Sequence, residues 1–225
     1  MAKGVRAIKR VTKKELKEDK LVTSYFQARK YFEAHQSVLL KIIGGAVLFI
    51  ALVTFWFMSK SGAQSEASYE LNLALLTSQS GDPTGVADKL TEIGKRYSGT
   101  ESGEAAQFYL GKLRAQDHSP EEALKAFEEF LRRGSKSSYL YPAALAGKAS
   151  SLEDLGRPGE AAQFYLKAAE ARDDFFAEAG FRLDAARCFI LAGDQEKARQ
   201  QYQYVQERYP QTAYSQKAQD GLAKL

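Results

Sequence analysis

The sequence predicts an all-α chain: an N-terminal amphipathic helix, a single transmembrane helix, and an α-solenoid of about four helical hairpins plus a capping helix. Three observations carry this. Residues 42–58 form a 17-residue apolar stretch without a charge. No alternating strand pattern of useful length occurs from Ser65 onward. In that same part, small residues recur about every 37 positions, as a helical repeat requires.

The first element is a basic head, residues 1–37. Residues 1–41 hold 11 Lys+Arg against 4 Asp+Glu, whereas residues 42–225 hold 21 against 24, so the basic character of a chain of net charge +4 is confined to its start. Thr12-Lys13-Lys14-Glu15 fits a capping box, in which hydroxyl and carboxylate each take a free amide, and a helix is expected to begin there. Leu21, Val22, Tyr25, Phe26, Ala28 and Phe32 follow at helical spacing, flanked by Lys17, Lys20, Arg29 and Lys30. Such a basic amphipathic helix suits the membrane interface or the cytoplasmic face of a membrane complex. The plainer reading is a topology signal with ordinary helix propensity, and the sequence leaves both open. Leu21, Val22, Tyr25, Phe26, Phe32 and, beyond them, Trp56 are the candidate residues for docking on a membrane or complex. Nucleic acid is not an expected partner, because the basic cluster is short and adjoins a bilayer that accounts for it.

The second element spans residues 38–58. Between Glu33 and Lys60 the only formal charge is Lys41, and 21 helical residues measure about 31 Å, the thickness of a hydrocarbon core. Lys41 at one edge and Phe55-Trp56-Phe57 at the other suit the two interfaces. The excess of Lys and Arg before the span predicts a cytoplasmic N-terminus and an exported C-terminal part, which in a bacterium means the inner membrane and the periplasm. An uncleaved signal anchor fits better than a cleaved signal peptide. Ser61-Gly62-Ala63 offers small residues for processing, but the preceding head is much longer than an ordinary n-region. A third alternative is a core helix, although nothing else in the chain is apolar enough to surround it. Gly44, Gly45 and Ala51 lack GxxxG spacing.

After a short linker, residues 59–65, the third element occupies residues 66–225. Breaks are expected at Gly81-Asp82-Pro83, Ser98-Gly99-Thr100, His118-Ser119-Pro120, Gly134-Ser135-Lys136, Gly156-Arg157-Pro158, Gly193-Asp194 and Pro210, leaving helices of about 14 to 18 residues. Ala87, Ala123, Ala161 and Ala198 fall in one column at separations of 36, 38 and 37. Arg96-Tyr97, Thr100, Ala106 and Leu110 recur as Arg208-Tyr209, Thr212, Ala218 and Leu222 at a constant offset of 112, three units of the same length. Alanine at a crossing lets two helix backbones approach, and an aromatic one turn later fills the gap against the next hairpin. The heptapeptide EAAQFYL occurs at residues 104–110 and 160–166, an offset of 56 that is no whole number of units, so one copy is expected on a first helix and the other on a second.

On these residues the chain resembles the tetratricopeptide repeat family, most closely in Ala186, Phe189, Gly193, Ala198, Tyr202, Val205 and Pro210. Leu110, Gly111, Ala123 and Phe127, and then Ala149, Leu152, Gly156, Ala161, Tyr165 and Ala168, carry it in the two preceding units. The departures are the unit length, Lys148 where an apolar residue is expected, and Thr91 in place of the first unit's aromatic. The resemblance implies a groove lined by first helices and suited to an extended peptide or a partner helix. By the same resemblance Tyr69, Asn72, Phe108, Lys112, Ser150, Leu183 and Arg187 would line it. The layout is also similar to the membrane-anchored ancillary subunit of the bacterial Sec translocon, and the stretch Arg208 to Tyr214 to the repeat domains of envelope-assembly proteins. That likeness implies a periplasmic interaction module with a chaperone-like role, recruiting exported or membrane proteins. The alternative is a structural accessory subunit held by its transmembrane and basic helices.

No enzyme is expected. The sequence has no nucleophile elbow, phosphate-cradling loop or dinucleotide fingerprint, and no cofactor follows from it. One Cys (Cys188) and two His (His35 and His118) exclude a disulfide framework and leave no metal cluster. Cys188 is expected to be a packed small side chain rather than a reactive thiol, and His118 a solvated or capping turn residue.

Overall fold

The computed structural model describes residues 13–78, 83–172 and 177–225, and all regular structure among them is helical. The chain divides into two compact units, Met1–Ser59 and Lys60–Leu225. Helix α1 is described over Lys13–Ser78, and Thr12, the expected cap, lies outside the described residues.

In the first unit α1 is kinked at His35, whose φ of −120° and ψ of 19° leave the helical region. The cause is local. The Tyr31 and His35 rings stack with centroids 4.4 Å apart, and His35 Nδ1 lies 3.1 Å from the Tyr31 carbonyl oxygen, so a side chain competes for the acceptor one turn back. Beyond the kink comes the apolar stretch, part of a helix long and apolar enough to cross a membrane. None of it is buried within the described residues; Phe49 is 68% exposed and Phe55 73%. Its one hydroxyl, on Thr54, donates to the carbonyls of Ile50 and Ala51, both at 2.9 Å, so the stretch satisfies its own polar side chain.

The second unit opens with the end of α1, then α2 Pro83–Arg96, α3 Glu101–Gln116, α4 Pro120–Arg133, α5 Tyr141–Asp154, α6 Pro158–Glu170, α7 Glu178–Leu191, α8 Gln195–Arg208 and α9 Ala213–Leu222. Consecutive helices pack in order, as in a solenoid. The alanine column is buried throughout: Ala87, Ala123, Ala161 and Ala198 are each at most 1% exposed. One turn later Phe127, Tyr165 and Tyr202 are buried. Phe127 rests on Gly111 and Gly147, and Tyr202 on Gly221; a Cβ at any of the three glycines would stand within 3 Å of the ring.

Turn chemistry sets the hairpin corners. His118, Gly156 and Gly193 all have positive φ at 53°, 72° and 80°, each followed two residues later by the first residue of α4, α6 or α8. Pro120 and Pro158 occupy the first helical position, where a missing amide costs nothing. Thr100, Asp194 and Thr212 cap α3, α8 and α9 through their side chains. Helix α9 is the capping helix expected from residue 212 onward.

Two features were not expected from the sequence. Residues 59–65, expected as a linker, are helical within α1. They contain no proline, and Gln64 holds them to α3 with a reciprocal pair: its Nε2 donates to Ser102 Oγ at 3.0 Å, and Ser102 N donates to its Oε1 at 3.3 Å. The sequence also offered no break between Gly156 and Gly193, yet α6 ends at Glu170 and α7 begins at Glu178. Neither glycine nor proline marks that interval, and Ala177 caps α7 without a side-chain bond.

Candidate functional site: the first-helix face

The expected groove residues come from four first helices. Tyr69 and Asn72 stand exposed on the end of α1, Lys112 is exposed on α3, and Ser150 and Leu183 are half-buried on α5 and α7. Phe108 does not join them. It is 6% exposed and turns toward its own hairpin partner, with its ring 6.0 Å from that of Phe127 and 5.9 Å from that of Phe130. Arg187 is exposed but not open to a ligand. Its guanidinium grips the Glu153 carboxylate of α5 with both terminal nitrogens, Nη2 to Oε2 at 2.9 Å, and approaches Asp184 at 3.6 Å. Arg187 therefore ties α7 to α5.

The charges respond accordingly. The Arg187 hydrogen bond, against an opposing cost of burial, holds the Glu153 carboxyl below its ordinary value, and the same bond raises Arg187. Burial pushes the Asp184 carboxyl up, with Arg187 opposing and Glu153 adding. Cys188 is buried with its Sγ 3.6 Å from Glu153 Oε2, and its thiol is pushed up to about 12 by burial and by the Glu153 charge. At neutral pH it is a packed thiol, not a nucleophile. Lys148, out of pattern in the sequence, is held by Glu128 at 2.7 Å and sits 4.2 Å above the Phe164 ring. It links α4 to α6 with only 16% of its side chain exposed.

A second polar centre joins α7 to α8 and the turn after it. Glu178 Oε1 accepts from Tyr204 and Arg182, both at 2.8 Å, and Oε2 from Tyr209 at 2.6 Å. Arg182 also donates to Gln201 at 2.9 Å and stacks 3.7 Å over the Tyr204 ring. Burial raises the Glu178 carboxyl, but its bonds from Tyr209, Arg182 and Tyr204 outweigh that and hold it below the ordinary carboxylate value. Among the described residues no group of three or more His, Cys, Asp or Glu is arranged to hold a metal ion.

Sequence reading missed a groove on the other side of the hairpins. It has a volume of about 730 Å³ and lies between the second helices α2 and α4, with α3 as its floor. Thr91 lines it, at the position where the other three hairpins carry Phe127, Tyr165 and Tyr202. The missing aromatic was the signal. On the head, Val22, Tyr25, Phe26 and Phe32 are 53%, 63%, 60% and 47% exposed, and on the apolar stretch Trp56 is 57% exposed. Leu21 lies outside the residues whose side chains are described.

Residues 109–175 match the tetratricopeptide repeat model. The segment runs from α3 to just beyond α6, where the alanine, aromatic and glycine columns pack together. Solved structures share the fold at low identity. A candidate kinesin light chain from Podosopora anserina with nearly identical TPR-like repeats is 16% identical, with a TM-score of 0.58 over 72% of this chain and 85% of that one. YrrB, a TPR protein with an unusual peptide-binding site, is 18% identical, with a TM-score of 0.53 over 69% of this chain and 75% of the other. Pseudomonas aeruginosa PilF is 18% identical, with a TM-score of 0.52 over 71% and 67%. No curated protein matches the sequence. Proteins built from tetratricopeptide repeats mediate protein–protein interactions in general.

Proposed function

We propose that this chain is a single-pass inner-membrane protein whose periplasmic repeats recruit exported or membrane proteins to a membrane complex. The observation that carries the reading is the apolar stretch of α1, which is long enough to span a bilayer and wholly unburied, with repeats on its C-terminal side. The 11 Lys+Arg of residues 1–41 support a cytoplasmic N-terminus. The kink at His35 separates the amphipathic residues from the span, so the former have the freedom to lie along the interface or against a partner.

The repeats bind through Tyr69, Asn72, Lys112, Ser150 and Leu183, an exposed or half-buried set with aromatic, apolar and cationic members. Arg187 is left out, being occupied by Glu153. A YrrB-like capacity for peptides supports a ligand of extended chain, such as an exported polypeptide before it folds. The second reading, an accessory subunit held through α1, is favoured by the exposed face of Val22, Tyr25, Phe26 and Phe32.

Two measurements test this. Protease added outside spheroplasts digests residues 66–225 and spares the Lys-rich head; digestion of the head alone refutes the orientation. Crosslinking in intact membranes, repeated with residues 66–225 deleted, separates the two roles. Loss of the crosslinked partner supports recruitment by the repeats, and retention supports the accessory subunit.

A further inference from the structure

The groove between α2 and α4 has a composition unlike its surroundings. Residues 42–225 carry 21 Lys+Arg against 24 Asp+Glu, yet the groove has four cations and two carboxylates. Both carboxylates are already engaged. Glu122 pairs with Arg114 at 2.9 Å, and Glu129 with Arg132 and Arg133; the Arg132 bond chiefly holds Glu129 below its ordinary value. Lys95 of α2 and Lys125 of α4 form no salt bridge among the described residues, and both are exposed. They supply a net positive charge from the two facing helices.

The floor carries a second observation. Gln107 of α3 is half-buried and lines the groove, and its amide has no hydrogen-bond partner among the described residues. It lies against Gly94, where a Cβ would come within 2.0 Å of Gln107 Nε2. The identical heptapeptide in α6 leaves the matching Gln163 exposed on the surface. An amide offering one acceptor and two donors on the floor of a groove matches the needs of a peptide backbone.

We infer that this groove binds a short acidic segment of a partner protein in extended form, with Lys95 and Lys125 meeting its carboxylates and Gln107 its backbone. Along α4 the groove runs from Glu122 to Arg133, about 16 Å at the helical rise, or about five extended residues. The volume is that of a small-ligand or short-peptide site and is too small for a second helical hairpin. The site is separate from the first-helix face and does not depend on which face recruits exported proteins.

The test is fluorescence anisotropy with the full chain in lipid nanodiscs. The probes are fluorescein-labelled Glu-Ala-Glu-Ala-Glu and its neutral counterpart Gln-Ala-Gln-Ala-Gln. The acidic probe binds, the neutral one binds about tenfold more weakly, and added salt weakens the acidic probe. The Lys95→Gln/Lys125→Gln double variant, changed only at exposed positions, loses about tenfold for the acidic probe. Gln107→Ala weakens both probes, and Lys217→Gln, at an exposed position of α9, leaves both unchanged. Equal affinity for the two probes, indifference to the double lysine variant, loss on Lys217→Gln, or tighter binding of a ten-nucleotide oligothymidylate than of the acidic peptide would each overturn the proposal.

Discussion

His118 shows how one side chain departs from the rule its neighbours follow. It shares its place in the corner with Gly156 and Gly193, and all three have positive φ, yet only His118 carries a Cβ there. A left-handed conformation costs an L-residue about 1–2 kcal/mol. Part of that is returned by the lower entropy of the unfolded chain, so His118→Gly stabilises the repeat unit by about 0.5–1 kcal/mol. Urea unfolding of the detergent-solubilised chain reads this as a higher midpoint with an unchanged slope. A lower midpoint would mean that the imidazole makes a compensating contact. The corner itself was legible as His118-Ser119-Pro120, because proline at the first helical position is a local signal. The strained φ was not, since it emerges only when the three corners are laid in register.

The joint between α7 and α8 depends on Glu178, one carboxylate with three donors and 16% exposure of its side chain. Glu178→Ala leaves Arg182 and two phenols without their acceptor and costs about 3 kcal/mol at neutral pH. The sign with pH follows from both partners. The Glu178 carboxyl sits below its ordinary value, so its contribution is whole above the ordinary carboxylate range and is lost as pH falls through and below that range. Tyr209 is pushed up to about 12 by burial and by Glu178, so its contribution is whole below pH 10 and disappears between about 10 and 12. Stability measured against pH in wild type and Glu178→Ala therefore converges at acid pH, and a parallel offset at all pH values would refute the assignment. Helices whose ends carry glycine, proline or a capping hydroxyl were readable, as at Thr100, Gly156 and Thr212. The end of α6 and start of α7 were not, because the residues between them include neither glycine nor proline. Continuation of α1 through residues 59–65 was likewise hidden, resting on Gln64 meeting Ser102 from 38 positions away. Phe108 was placed on the groove by family register, but its phase in α3 turns it onto Phe127 and Phe130.

The repeat unit as a whole is less uniform than its period. Its buried residues fall into two clusters that meet within α5. The first runs from Ala67 to Ala144 and holds Leu90, Ile93, Phe108, Phe127 and Phe130. The second runs from Ala149 to Ala218 and is built largely of alanines around Tyr165, Phe189 and Tyr202. In a nearest-neighbour array a defect is felt by the repeats that touch it and fades beyond them. Phe127 reaches both Gly111 and Gly147, so it serves its own hairpin and the start of the next. Phe127→Ala removes that ring at a cost of about 3–5 kcal/mol. Amide hydrogen exchange then speeds up from α2 through α5 while α7 to α9 keep their protection, because Arg187–Glu153 and the Glu178 joint hold the second cluster independently. The two ends of the array differ in the same sense. Helix α9 closes the C-terminal end, whereas the end of α1 leaves Tyr69, Leu73 and Leu76 69%, 50% and 66% exposed. With Phe127 in place, the first cluster is stabilised by large side chains despite its uncovered outer helix. Without it, that helix and its hairpin are the first to open. Uniform loss of protection through α9 would show instead that the two clusters fold as one cooperative block.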